Sequence, residues 1–245
     1  MRRSAGITLT DLMVLTVLTT LFALFFFPGC RRSRDTGFGA AVTASRERAF
    51  RTVCMCNLRQ IGLAMNQYAG ENDGYFPKLV DASGCETHAY DPETGNINTT
   101  DPARTAFAVL LNKGYLTTTK VFICPSSGDR VPGDEFPCDF READLDELIL
   151  SDRQCSYGWD PTKSNSANAN TALIADKPSY DVSVANAGTA ENNSDNHMKA
   201  GQCVWYNDGH VKWMWTSMPE SGDDPDIYLG DRGYERSSTD AKIIR

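Results

Sequence analysis

Histidine is scarce in this chain: His88, His197 and His210 are the only three among 245 residues, and none lies in an HExxH zinc-protease pattern. A nucleophile elbow, a phosphate-binding glycine loop and an EF-hand spacing are missing as well. With no grouping of acid, base and nucleophile to read, the expected character is non-enzymatic. Positive charge is in short supply too, with 24 Lys and Arg against 32 Asp and Glu for a net charge of −8. A phosphate backbone would meet no basic field, so nucleic acid is not an expected partner. The eight cysteines include no CxxC pair, since one residue separates Cys54 from Cys56, and no histidine spacing turns them into a zinc site. Disulfides or buried thiols of an exported domain are the expectation, and no metal ligand is assigned. Internal repeats are absent as well.

There is one long apolar run. Ile7 to Phe27 is 21 residues, which as a helix reaches about 31 Å, the thickness of a bilayer's hydrocarbon core. Arg2 and Arg3 precede it, and Arg31, Arg32 and Arg34 follow, so basic residues flank both ends. A single acid, Asp11, interrupts it. An ionised carboxylate there costs roughly 2.5–3.5 kcal/mol on insertion scales, and a partner is needed to make it worth keeping. The free amine of a chain beginning at Ile7 would be such a partner, if neighbouring subunits stagger so that amine and carboxylate meet. Two other readings stay open: an ordinary signal anchor, and a lipoprotein lipidated at Cys30, whose preceding Phe27-Pro28-Gly29 supplies only half of the required small-residue pattern.

The stretch Gly6-Ile7-Thr8-Leu9-Thr10-Asp11 resembles the processing site of type IV prepilins. The resemblance implies that a membrane prepilin peptidase cuts between Gly6 and Ile7 and methylates the new amino terminus. It gives Asp11 the assembly role of the family acid, which is usually glutamate, one methylene longer. Pro28 falls where many pilins carry a helix-bending proline.

Residues 40–69 place Phe50, Val53, Cys54, Asn57, Leu58, Ile61, Met65 and Tyr68 at steps of three and four, which predicts an amphipathic helix with one face on a sheet. Gly70 and Asn72-Asp73-Gly74 end it. The run Asn57-Leu58-Arg59-Gln60-Ile61-Gly62-Leu63-Ala64, followed by Asn72-Asp73-Gly74-Tyr75-Phe76-Pro77, resembles a bacterial family of G-type pseudopilin relatives with a C-terminal His-x9-Asp-Gly signature. The counterpart of that signature is His197 with Asp208-Gly209, but ten residues stand between His197 and Asp208, so the family's histidine position falls on Met198. No catalytic or metal-binding role is therefore carried over to His197. Read for itself, Asn207-Asp208-Gly209 is a tight turn joining β-prone residues 203–206 and 210–215 into a hairpin. The likeness to G-type pseudopilins also raises calcium, with Asp195, Asp208, Asp223, Asp224 and Asp226 as available oxygen ligands.

Elsewhere, residues 103–113 before Gly114 read as a second helix, and residues 121–124, 155–159 and 171–175 as short strands. A short helix is expected within 142–150, and the long stretches 126–154, 163–170 and 179–196 read as loops. Beyond Ser217, only Asp226-Ile227-Tyr228 looks structured. The expected fold is α+β and pilin-like: leader 1–6, transmembrane helix 7–29, stalk and amphipathic helix 30–74, and a domain over 75–245 with an antiparallel sheet and long loops. The expected function is a pseudopilin-type subunit of a type II secretion or type IV pilus-like assembly. It would sit in the inner membrane with its domain in the periplasm or envelope, meeting other pilin-like subunits through the N-terminal helix. A membrane-anchored binder of solutes or glycans, using long loops and aromatics such as Trp159, is the alternative.

Overall fold

The computed structural model of the protein describes residues 9–26, 37–77, 79–80, 86–87, 102–133, 136–219, 224–229, 239 and 241–244. Gly6, Ile7, Pro28, Cys30, Cys85, His88 and Asp223 lie outside the described residues, as does the expected leader. The chain divides into two compact units, Met1–Ser45 and Arg46–Arg245.

In the first unit, helix α1 covers Leu9–Phe26, which includes the backbone of Asp11. Its apolar side chains Leu9, Met13, Val14, Leu15, Val17 and Leu18 are all more than half exposed. Thr16 and Thr19 return their hydroxyls to the helix, donating to the carbonyls of Met13 and Thr16 at 2.9 and 3.0 Å. The described part of α1, 18 residues, is about 27 Å long. Among the described residues no helix is long and apolar enough to cross a membrane. The 21-residue spanning helix is thus not seen as one described element; Ile7, Thr8 and residues 27–36 are not described.

Helix α2, Gly37–Glu71, is the amphipathic helix the spacing predicts. Cys54, Asn57, Leu58, Ile61, Met65 and Tyr68 are buried on one stripe, while Val53, at the stripe's edge, is 46% exposed. The helix stops where the turn residues require it. The Gly74 N–H donates to the Ala69 carbonyl at 2.8 Å, with Asp73 and Gly74 at φ of 54° and 84°. Helix α3, Pro102–Asn112, buries Ala106, Phe107, Leu110 and Leu111 and ends at Gly114, whose N–H donates to the Leu111 carbonyl. Strands β1, Leu79–Val80, and β2, Glu86–Thr87, form a two-residue antiparallel pair.

The main sheet is antiparallel and four-stranded, in the order β3, Tyr157–Trp159; β4, Ala172–Asp176; β5, Gln202–Tyr206; and β6, Val211–Met214. Every residue of β3, β4 and β5 is buried, because both faces are covered. Cys203 and Trp205 join the core built on α2 and α3, whereas Val204 and Tyr206 join a second cluster with Ile227, Tyr228, Ala241 and Ile243. A register shift between Ala172 and Ile174 breaks the alternation of β4, so that Leu173 and Ile174 fall in the same cluster. An α+β fold with helix α2 on an antiparallel sheet is therefore what the chain forms.

Three local readings need correction. Residues 121–124 are not a strand: a short 3-10 helix, Thr119–Phe122, stands there, capped by Thr118 Oγ1 accepting from the Lys120 N–H. Within 142–150 the helix reduces to a single 3-10 turn at Leu145–Leu148. The tail holds more than residues 226–228, for Ile244 pairs with Trp159 through two backbone hydrogen bonds of 3.0 and 3.1 Å and covers the edge of β3.

The long loops are tied down from inside. Lys177 Nζ pairs with Asp129 at 3.0 Å and donates to the Asp152 and Cys155 carbonyls. The buried Asp226 carboxylate accepts from Asn192, Ser217 and the Gly188 N–H.

Candidate functional site

The chemistry-bearing side chains gather at one end of the buried sheet, where four segments converge. Helix α2 supplies Cys54, one turn before Leu58 on the buried stripe. Cys124 follows the 3-10 helix Thr119–Phe122 and is fixed by its backbone, its carbonyl accepting from both the N–H and the hydroxyl of Ser127. Asn57, one turn along α2 from Cys54, donates to the neighbouring Ile123 carbonyl at 2.9 Å. Strand β4 ends in Asp176, and the turn Asn196–Lys199 supplies His197.

One ligand atom from each of Cys54, Cys124, Asp176 and His197 lies within 4.8 Å of the others, and all four residues are buried. Cys54 Sγ donates to Asp176 Oδ1 at 3.2 Å. Cys124 Sγ lies 3.3 Å from His197 Nε2, which stands 3.6 Å from Asp176 Oδ2. The other ring nitrogen, Nδ1, meets Glu47 Oε1 at 2.5 Å, and Glu47 also accepts from the Ser126 hydroxyl at 2.7 Å. Asp176 is held twice more, by Asn196 Nδ2 at 2.8 Å and by the Cys203 N–H at 2.7 Å. Tyr157 Oη closes one side, 3.3 Å from Cys54 Sγ, and the Trp213 ring stands edge-on to the imidazole at 5.2 Å.

Burial sets the electrostatics. It pushes the Cys54 thiol up, and the hydrogen bond with Cys54 together with burial does the same to Cys124. Asp176 is raised by burial, against the pull of His197. For His197 burial alone acts downward, but the Cys124 hydrogen bond and the Asp176 charge outweigh it and lift the imidazole to about 9.

The backbone at His197 is unusual: His197, Met198 and Lys199 have φ of 53°, 56° and 59°, three consecutive non-glycine residues in the left-handed region. Each such residue costs on the order of 1–3 kcal/mol and persists only where its surroundings hold it. The turn sends His197 inward at 0% exposure and leaves Met198 70% exposed. His197, not Met198, is the residue that reaches the core, and the spacing that put its role in doubt does not keep it from a cluster of ligand atoms.

Asp208 and Gly209 sit elsewhere, in the turn of the β5–β6 hairpin, with Gly209 at φ of 90°. Asp208 Oδ1 accepts from the His210 N–H at 3.0 Å and meets His210 Nδ1 at 2.5 Å. Slight burial acts upward on this carboxyl, and the His210 hydrogen bonds more than reverse it, leaving it lowered. Its contribution is therefore present above the usual carboxylate range and is lost as pH falls through the lowered value. Because the side chain is 42% exposed, Asp208→Asn is expected to change stability by no more than about 0.5 kcal/mol, measured by urea unfolding.

Of the oxygen ligands considered for calcium, those among the described residues each have protein partners. Asp195 meets Lys199 at 3.4 Å, Asp226 holds Asn192 and Ser217, and Asp224 accepts from the Asp226 and Ala241 N–H groups. Cys54, Cys56, Cys124, Cys138, Cys155 and Cys203 are all free thiols, so of the two expectations the disulfide has no described example, whereas the buried thiol has four, Cys54, Cys124, Cys155 and Cys203. Trp159, expected to be available to a ligand, is 2% exposed, sealed by the Ile244 bridge and the edge of Phe76.

No spacing marks Cys54, Cys124 and Asp176 as site residues, since tens of residues separate them. The available signals were weak: a cysteine inside the apolar stripe of α2, a Cys-Pro step, and an apolar strand that ends in aspartate. Comparison with protein-family models, curated proteins and solved structures finds no match for the chain.

Proposed function

We propose that the chain is a pilin-like structural subunit, of the pseudopilin kind, in a type II secretion or type IV pilus-like envelope assembly. The observation that carries this reading is α1, whose described apolar side chains, Leu9 to Leu18, all stand more than half exposed. A helix of that composition needs lipid or copies of itself around it. Helix α2 lying on an antiparallel sheet supports the reading, since a subunit of this kind carries its domain on the helix that follows the membrane segment. In the proposal, prepilin peptidase cuts after Gly6, Ile7 becomes the methylated amino terminus, and Asp11 meets that amine on a neighbouring subunit. The domain stays outside the cytoplasm and acts without catalysis.

Intact mass and N-terminal sequencing of the protein from its own membranes test this. The expected chain begins at methylated Ile7, and Asp11→Ala is expected to abolish filaments recovered by shearing while leaving the domain folded. An uncut Met1 or a lipidated Cys30 would overturn it.

A further inference from the structure

We infer that Cys54, Cys124, Asp176 and His197 form a structural zinc site that pins helix α2, the 119–124 segment, strand β4 and the left-handed turn to one another. The donor set is two sulfurs, one imidazole nitrogen and one carboxylate oxygen, the mixture that zinc takes in a tetrahedron. With zinc–sulfur bonds of about 2.3 Å and zinc–nitrogen or zinc–oxygen bonds of about 2.0–2.2 Å, the ligand atoms of a tetrahedron stand about 3.3–3.8 Å apart. Three separations, 3.2 Å from Cys54 Sγ to Asp176 Oδ1, 3.3 Å from Cys124 Sγ to His197 Nε2 and 3.6 Å from His197 Nε2 to Asp176 Oδ2, lie near those edges, and with all four ligand atoms within 4.8 Å of one another small side-chain adjustments close the tetrahedron on one Asp176 oxygen.

The surroundings are also those of a metal site. His197 turns Nε2 inward because Nδ1 is held by Glu47, the carboxylate–imidazole arrangement that orients metal-bound histidines. The Asp176 carboxylate is steadied by Asn196 and the Cys203 N–H. On binding, each thiol and the Nε2 of the imidazolium release a proton to solvent, so that two thiolates, one carboxylate and a neutral imidazole hold the dication at a net charge of −1. Hydrogen bonding alone accounts for each pair, but not for four ligand atoms brought to one point by four segments, with the histidine placed by a strained turn.

Burial decides between this and catalysis. Cys124, His197 and Glu47 have the order of a thiol nucleophile, its base and an orienting carboxylate, yet they are 1%, 0% and 8% exposed. A closed site that holds structure suits that burial, and a substrate-facing one does not.

The test uses the full-length chain, purified in detergent under reducing conditions and supplied with zinc. Elemental analysis is expected to find about one zinc ion per chain, and X-ray absorption at the zinc edge a shell of two sulfur and two nitrogen or oxygen atoms. Glu47→Gln is expected to weaken zinc binding about 10–100-fold in chelator competition, whereas Cys56→Ser, at an exposed cysteine, leaves it unchanged. If Glu47→Gln does not fold, the absorption spectrum of the wild-type chain decides alone. Zinc well below one per chain, a shell without sulfur, another metal retained in its place, or a Cys54–Cys124 disulfide in protein taken from its own membranes would each overturn the site.

Discussion

In the metal-free chain Asp176→Ala is expected to cost about 3–5 kcal/mol of folding free energy, the range for removing one partner from a buried charged pair. The carboxylate is fully buried and gathers donors from three directions: the Cys203 N–H of β5, the Asn196 amide and the Cys54 thiol, with His197 Nε2 facing it. Alanine leaves those donors in a dry interior, where an unsatisfied polar group costs about 1–3 kcal/mol and an unpaired charge more. The Tyr228 hydroxyl is unaffected, because it donates to the Asp176 backbone carbonyl. Asp176→Asn separates shape from chemistry. It fills nearly the same volume but turns an NH2 toward groups that themselves donate, so it should also destabilise, by less than alanine. Urea unfolding followed by tryptophan fluorescence measures both. A loss below about 1 kcal/mol for Asp176→Ala, what one ordinary hydrogen bond contributes, would mean that the carboxylate does not organise this end of the sheet.

The contrast with Asp208 shows what the sequence could and could not convey. Both aspartates adjoin β-prone residues, and Asp208-Gly209 was the more conspicuous because a tight turn announces itself in three consecutive residues. That local signal was correct, as was the buried stripe of α2, since periodicity at three and four is a property of one segment. Helix α3 was legible for the same reason, with Gly114 as its stop. The four-residue cluster had no such local signature: its members come from α2, a loop, a strand end and a turn, and only the tertiary fold makes them neighbours. Trp159 was misplaced by the same limit. Residues 155–159 read as a strand, but nothing local to them says that pairing with the far C-terminal Ile244 buries Trp159. Residues 121–124 have strand-like composition, yet the segment is short and precedes Pro125, and the Thr118 cap turns it into a 3-10 helix instead.

Gly62 is where the contact between helix and sheet is tightest, and Gly62→Val is expected to cost more than about 3 kcal/mol, beyond the usual overpacking range. A β-carbon built at Gly62 would lie 2.2, 2.4 and 2.6 Å from the Cε2, Nε1 and Cδ2 atoms of Trp205, far inside contact distance. The indole cannot step aside freely, because Trp205 is 1% exposed and its strand β5 is held between β4 and β6. Gly62→Ala sets two effects against each other. Alanine is favoured over glycine inside a helix by about 0.8–1.0 kcal/mol. Overpacking costs typically about 1–3 kcal/mol and should be at the upper end when the obstacle is a large ring. The clash therefore wins, and Gly62→Ala is expected to lose about 1–2 kcal/mol. The decisive comparison places Gly62→Ala in a Trp205→Leu background, where the ring is gone and the helical preference alone remains. There the same substitution should become neutral or stabilising, with a coupling of about 1–3 kcal/mol between the two positions. Equal effects of Gly62→Ala in both backgrounds would show that α2 does not rest on Trp205 at this residue.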